Sequence, residues 1–312
     1  MMGLKQTSTF RPFRLSPETE RANGFILIPV LWVLGFLALV TAILTRTVST
    51  DIKASANLLT RAQSEVLSDG IARLAIRYAV ANPIDGANLG AFTLNGTPAH
   101  CRVGNSIAAI SIASTAGLVD INTATAATLE LLFTAIGAPN PAGLAAAVID
   151  FRDPDDVPTP GGAELAEYRA ANLTHGPKNA PFITVGELDQ VLGMTPELFA
   201  RARPFVTTVS RLATPDLTLA SPEIVAMSFP AELSNQTRTR YLRITVSVRR
   251  ASNSRQYTRE AVLLLEPRVR GGFLLKGWER TALHINQSMN FGEAIPSEAL
   301  PSCVDQLLLV KS

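Results

Sequence analysis

The sequence predicts an α+β protein. A long N-terminal helix, membrane-spanning over its first part, packs on a small antiparallel sheet, and an all-helical domain is inserted between the strands. Three observations carry that prediction. Residues 25–44 form an uncharged run of 20 residues that continues into an amphipathic stretch, 46–81, without a proline. Short segments near 99–114 and 241–265 have the composition and alternation of strands. Between them, 117–209 carries helical signals alone. The implied division is a polar leader 1–24, a transmembrane segment 25–45, a helix extension with the first strands 46–116, the helical insert 117–209, later strands 210–286 and a tail 287–312.

The leader holds Lys5, Arg11, Arg14 and Arg21 against Glu18 and Glu20, which accounts for the whole net charge of +2. An apolar run of 20 residues rises about 30 Å as a helix, the thickness of a bilayer core. A cleaved secretory signal has a shorter apolar core and small residues at its cut site. Here "TRTVSTDIK" follows instead. The basic residues before the run put the N-terminus in the cytoplasm and the remainder beyond the inner membrane of a bacterial cell. Leu59, Leu67, Ile71, Leu74 and Tyr78 then recur at near-helical spacing, and Asn82-Pro83 is a stop. One continuous helix over 25–81 is roughly 85 Å long.

In "AHCRVGNSIAAISIA", Gly104-Asn105 reads as a hairpin turn between two strands. Leu129, Leu132, Phe133 and Ile136 then fall at helical spacing, with Thr123 or Thr125 to cap the start and Gly137 to end it. "PAGLAAAVIDFRDPDD" predicts a second helix with an acidic end. "TVGELDQVLGMTPELFARARPFV" predicts two more, the first with Thr184 and Glu187 as a capping box and the second opening at Thr195-Pro196. Near 240, Leu242, Ile244, Val246 and Val248 alternate with Tyr241, Arg243, Thr245, Ser247 and Arg249, giving one buried face and one polar face expected in solvent. "RQYTREAVLLLEP" returns as the next strand.

Charge is unevenly placed. Residues 116–200 hold eleven acidic and three basic residues, and residues 236–280 the reverse. Such segments mark surfaces that meet partners or each other. The chain has two cysteines, Cys101 and Cys303, too few for a zinc site. They can pair in an oxidising compartment, but spacing does not establish it, and two unrelated thiols are the expectation.

A charged leader, Gly24-Phe25, an apolar helix and an amphipathic continuation together resemble the type IV pilins and the pseudopilins of type II secretion. In that family a prepilin peptidase cuts after a glycine directly before the apolar helix. The resemblance implies cleavage at Gly24, with Phe25 as the N-methylated mature end. Most members carry a glutamate at the fifth mature position to neutralise a neighbour's N-terminal amine. Pro29 stands there instead. It is tolerable in a first helical turn, whose N–H groups lack partners anyway, but supplies no charge. Lack of that glutamate, together with "GLVDINTATAATLELL", "VIDFRDPDDVPTPGGAELAEY" and "NAPFITVGELDQVLGMTPELFARARPFVT", resembles the K-type minor pseudopilins (general secretion pathway protein K). The likeness fades after about residue 267. It implies a pilin-like fold with an all-helical insertion and a place at the pseudopilus tip. It implies I- and J-type minor pseudopilins, the peptidase and the inner-membrane assembly platform as partners. It also implies a single-pass inner-membrane location with the C-terminal domain periplasmic.

Asp150, Asp153, Asp155, Asp156 and Glu164 crowd one loop of the insert. Asp153, Asp155 and Glu164 fit positions 1, 3 and 12 of a calcium-loop count, but Val157 and Pro158 break the EF-hand pattern. Clustered carboxylates suit a hard cation, and the resemblance implies calcium; an exposed acidic turn is the other reading. "VLGMTPE" is similar to a helix-hairpin-helix, which suggests a membrane-anchored DNA-uptake protein as the alternative function. Its acidic surroundings oppose phosphate binding, so no nucleic-acid partner is expected. His100, His175 and His284 sit in unrelated contexts, and no phosphate loop or nucleophile elbow appears. The expectation is a structural interaction protein, not an enzyme.

Overall fold

The computed structural model describes residues 27–230, 240–250, 256–281 and 299–308, the side chains of 46–53 and 281 excepted. Gly24 and Phe25 lie outside them. The chain divides into two compact units, one ending at Leu59 and one beginning at Thr60. A single helix, α1 (Leu27–Ala81), runs through both.

In the first unit, Leu27–Thr45 is 19 residues with a mean hydropathy of 2.6, none of it buried in protein. That length and composition fit a single-pass membrane anchor. Pro29 lies in the first turn of α1 as described, where a missing N–H breaks no intrahelical bond. The Thr41 hydroxyl donates to Leu37 O at 2.7 Å and the Thr45 hydroxyl to Thr41 O at 2.7 Å. Both polar groups are therefore satisfied within the helix, as a lipid environment requires.

In the second unit, α1 is followed by three two-residue strands, β1 (Ile84–Asp85), β2 (Asn88–Leu89) and β3 (Phe92–Thr93), in a small meander. The expected hairpin follows as β4 (Ala99–Val103) and β5 (Ser106–Ser114), turned by Gly104 at φ +54°. The chain then enters the insert: β6 (Val119–Asp120), α2 (Ala126–Ala135), α3 (Pro141–Arg152), α4 (Leu165–Ala170), α5 (Pro196–Ala202), β7 (Val206–Thr207) and α6 (Pro222–Ala226). It returns as β8 (Tyr241–Arg250), β9 (Gln256–Leu265) and β10 (Phe273–Thr281), and the described residues end in α7 (Cys303–Leu308). The main sheet is antiparallel, in the order β10-β9-β8-β5-β4.

One sheet face packs on α1. Ile71, Ala72, Ala75, Tyr78 and Ala79 meet Ile110, Ile112, Leu242, Ile244, Val246, Ala261 and Leu263 in one core. The predicted stripe holds from Leu67 to Tyr78, but Leu59 is 61% exposed and lies outside it. Beside this core Arg259, itself buried, is ion-paired with Asp69 of α1. Arg280 reaches Glu65 at 3.0 Å, and Arg259 and Arg73 lie 5.3 and 6.0 Å from the Trp278 ring.

The opposite face is also covered, which corrects the expectation that its arginines point to solvent. Arg243 is 7% exposed. Its guanidinium donates to Pro204 O at 3.2 Å and to Val206 O, both in the insert, with Glu260 at 3.8 Å. Arg203 of the insert pairs with Glu279 of β10 at 3.0 Å. Alternation distinguishes the two faces of a strand but does not say what lies over the second.

The insert has its own core, in which Leu129, Leu132, Phe133, Val148, Phe151, Tyr168 and Leu188 are buried. Thr125 caps α2, Asn140 caps α3 and Thr195 caps α5. The segment opening at Thr184 is a 3-10 helix, Val185–Gln190, where an α-helix was expected. This core reaches Ala220, Ile224 and Phe229, past the expected boundary at 209. At the neck, β6 at the entrance of the insert pairs in parallel with β7, before the chain runs on through α6.

Cys101 and Cys303 form a disulfide across 202 residues of sequence, contrary to the expectation of unrelated thiols. The bond draws α7 onto β4 at the sheet edge, where Arg102 N–H donates to Pro301 O at 2.8 Å. Closing so long a loop stabilises the fold by roughly 3–5 kcal/mol in the chain-entropy account.

Removing the acid opposite buried Arg259 leaves a guanidinium without its charge partner. Asp69→Ala is expected to cost about 2–3 kcal/mol in urea unfolding. A change below about 0.5 kcal/mol would mean that the pair adds nothing to the α1–sheet contact.

Candidate functional site

The acidic loop joins the C-terminus of α3 to the start of α4. Asp150 is fully buried and closes the loop from within, its carboxylate accepting Thr159 N–H at 3.0 Å and Ala163 N–H at 2.6 Å. A side chain at Gly162 would come within 2.1 Å of Asp150 Oδ2, so the loop must carry glycine there. Asp155 accepts Val157 N–H at 2.9 Å. Asp156 accepts from the Asn179 amide at 2.8 Å, and the same amide donates to Asp155 O at 3.1 Å.

Other oxygens around the loop are short of donors. Asp153 Oδ1, both carboxylate oxygens of Glu164 and Asn179 Oδ1 are buried without a full hydrogen bond, although the Glu164 carboxylate faces the Glu167 backbone N–H in a capping box at the start of α4. Glu164 is 4% exposed. Burial, reinforced by the charges of Asp150, Asp153, Asp156 and Asp155, pushes its carboxyl up to about 7. Burial likewise raises Asp153, with Asp155 and Asp150 adding to it. Buried acceptors without donors are costly, and buried carboxylates more so. A hard cation with oxygen ligands offsets both costs.

The five residues singled out in the sequence therefore differ in what they can do. Among the described residues, no three His, Cys, Asp or Glu side chains come together as a ready-made chelate. Asp150 is committed to the loop backbone. Asp153 and Glu164 keep free oxygens, and Asn179, missed in the sequence, adds a third donor. A mixed set of carboxylate and amide oxygens fits calcium, which takes carbonyl and carboxylate oxygens alike.

A second cluster ties this loop to the neck. Asp120 in β6 is buried and accepts N–H from Asn122 at 2.9 Å and from Arg211 at 2.7 Å, with the Ser210 hydroxyl at 3.3 Å. Burial raises its carboxyl, and these donors oppose the rise. The Asn122 side chain donates to Phe182 O at 2.9 Å and Thr208 O at 3.2 Å, and accepts Phe182 N–H at 2.7 Å. Arg152, the last residue of α3, donates to Ile121 O and, at 2.7 Å, to Ala124 O. The run "VDIN" is thus the knot at this neck.

Comparison with known proteins bears on this part of the chain. Residues 106–211 match the family model described as type II secretion system (T2SS), protein K. The matched segment begins at the first residue of β5 and ends at Arg211, whose N–H binds Asp120. The similarity to the protein K domain thus covers about a third of the chain. A chain of the crystal structure of the GspK-GspI-GspJ complex from the enterotoxigenic Escherichia coli type 2 secretion system shares the fold. The TM-score is 0.50 at 15% identity, covering 73% of this chain and 99% of that one. No curated protein matches the chain at a significant level.

The similarity to protein K and the shared mixed helix-and-sheet fold support the role of a minor pseudopilin. The family implies a structural component of a secretion machine. The helix-hairpin-helix reading is not favoured: Glu187, Asp189 and Glu197 surround the turn, and its first arm is a 3-10 helix. Of the working residues in the matched segment, Asp120, Asn122 and Arg152 stand in or beside runs that the sequence reading quoted, without a role assigned to them. Asn179 opens another of those runs, and its role could not be read there because its partners lie more than 20 residues away.

Glu164 binds its proton more tightly in the folded state than in the unfolded one. Its contribution to stability is present below pH 4.5 and is lost as pH rises through about 7. With calcium removed by a chelator, Glu164→Gln is expected to stabilise the protein at pH 8 by about 1–3 kcal/mol and to flatten the decline between pH 5 and 8. Parallel pH profiles for variant and wild type would show that Glu164 carries no such burden.

Proposed function

We propose that the chain is a K-type minor pseudopilin that assembles with I- and J-type minor pseudopilins at the tip of a type II secretion pseudopilus, supporting protein export across the outer membrane. The observation that carries this reading is the combination of a segment similar to protein K, set into an α1-packed sheet, with one N-terminal helix apolar enough to span a bilayer. The partner assignment draws on the complex from which the similar solved chain comes. The leader is removed by prepilin peptidase after Gly24, Phe25 becomes the mature end, and an inner-membrane platform receives the subunit. The N-terminus faces the cytoplasm and the second unit lies in the periplasm, in agreement with the basic leader. The disulfide agrees with an oxidising compartment.

Pro29 supplies no carboxylate for the N-terminal amine of a neighbouring subunit. A subunit that cannot make this contact suits the end of a filament better than its middle. The covered second face of the sheet adds bulk that hinders stacking of a further subunit, in keeping with the same position.

In cells that supply prepilin peptidase, Gly24→Ala is expected to leave most of the chain at full length, read by N-terminal mass analysis of the membrane fraction. Complete processing of that variant would refute the cleavage assignment. Asp153, Glu164 and Asn179 would hold a calcium ion that neutralises the loop. Millimolar calcium is expected to raise the melting temperature of the detergent-solubilised protein by about 4–8 °C, the shift for 1 kcal/mol or more in a domain of roughly 100 residues. No shift at that concentration would remove calcium from the proposal.

A further inference from the structure

Three consecutive residues at the end of α3 hold three different parts of the insert, and the residue after them faces the acidic loop. Asp150 closes the acidic loop through Thr159 and Ala163. Phe151 stacks on Phe182, with ring centroids 4.8 Å apart. Arg152 donates to Ile121 O and Ala124 O at the exit of β6. Asp153 carries one of the unpartnered loop oxygens. A single helical turn therefore touches both the candidate cation site and the neck.

We infer that Arg152 couples the two: cation binding at the acidic loop tightens the β6–β7 neck through this side chain. The inference rests on the calcium reading of the loop. Arg152 touches no ligand itself and acts as a positioning residue. It lies between two charges, Asp120 on the neck side and Asp153 on the loop side, and both favour its protonated form against burial. Without a cation, the loop carboxylates repel one another and compete with the neck for the nearest guanidinium. With a divalent cation bound, Asp153 is neutralised and the last turn of α3 is held in place. Arg152 is then left to the two carbonyls and to Asp120. The neck is the part that benefits, because its parallel pairing is two residues long, Val119 with Val206 and Asp120 with Thr207. So short a ladder depends on side-chain clamps.

The test is hydrogen exchange on the full chain in detergent, with calcium chloride or with chelator, alongside calorimetric titration of calcium. In the wild type, calcium is expected to slow exchange at residues 119–121 and 206–207 about tenfold, as well as over 153–164. Arg152→Lys keeps the charge but cannot bridge two carbonyls. It should still take up calcium and protect 153–164, while losing most of the response at the neck. A merely structural arginine would instead shift neck exchange equally with and without calcium. If calcium protects 153–164 alone in the wild type, the coupling is overturned and the site stands. If no heat and no protection appear anywhere, the site falls, and the coupling with it.

Discussion

Covering the middle of a five-stranded sheet on both faces takes Arg243, Ser247, Thr258 and Arg259 out of water, and that constraint organises the second unit. The face against α1 meets it mainly with apolar residues and two ion pairs, Arg259 with Asp69 and Arg280 with Glu65. The other face meets it with Arg243, whose guanidinium reaches Pro204 O and Val206 O. These carbonyls flank the start of β7, one of the two neck strands. The strand that returns from the insert therefore grips the strand that leaves it. A lysine in place of Arg243 would offer one point of attachment where two are needed. The fork geometry of Arg243 thus fixes the insert against the sheet, beside Leu219, which packs into the sheet core.

Buried carboxylates follow the same logic with a different outcome. Asp120 and Asp150 are both deeply buried, and each accepts at least two backbone N–H groups. Their acidity serves the architecture, because amide donors take the place of water. Glu164 and Asp153 stand beside them in the same stretch of chain with oxygens that lack a full hydrogen bond. Glu164 opens α4 in a capping box with Glu167, so folding gives its carboxylate one use, whereas Asp153 Oδ1 has none. The contrast separates acids that hold the backbone closed from acids whose oxygens stay short of donors.

Local chemistry was legible in the sequence and long-range chemistry was not. The apolar run, the Gly104 turn, the capping residues Thr125 and Thr195 and the acidic loop all depend on neighbours within a few positions, and they could be read directly. Leu59 fits the helical period, but the period cannot say where the sheet ends beneath it. Arg243 was placed in solvent because alternation shows that two faces differ, while the covering element lies about 40 residues away. Asn179 joins the loop across 23 and 24 residues, and Cys101 finds Cys303 across 202. No spacing rule reaches that far. The most misleading signals were those for which a plausible local reading already existed.

The charge asymmetry shows how a correct composition can still mislead about contacts. An acidic insert beside a basic set of strands suggests that the two attract as bodies. The pairs between them run against that expectation: the insert contributes a cation, Arg203, and the strands contribute an anion, Glu279. Arg243 of the strands binds insert carbonyls, with its carboxylate neighbour Glu260 on its own sheet. The insert is therefore attached by cations from both sides, Arg203 and Arg243, placed where geometry permits full hydrogen bonding. The majority charges of the insert gather instead at the loop of Asp153, Asp155, Asp156 and Glu164, where burial and mutual repulsion hold the carboxyls of Asp153 and Glu164 above their ordinary range.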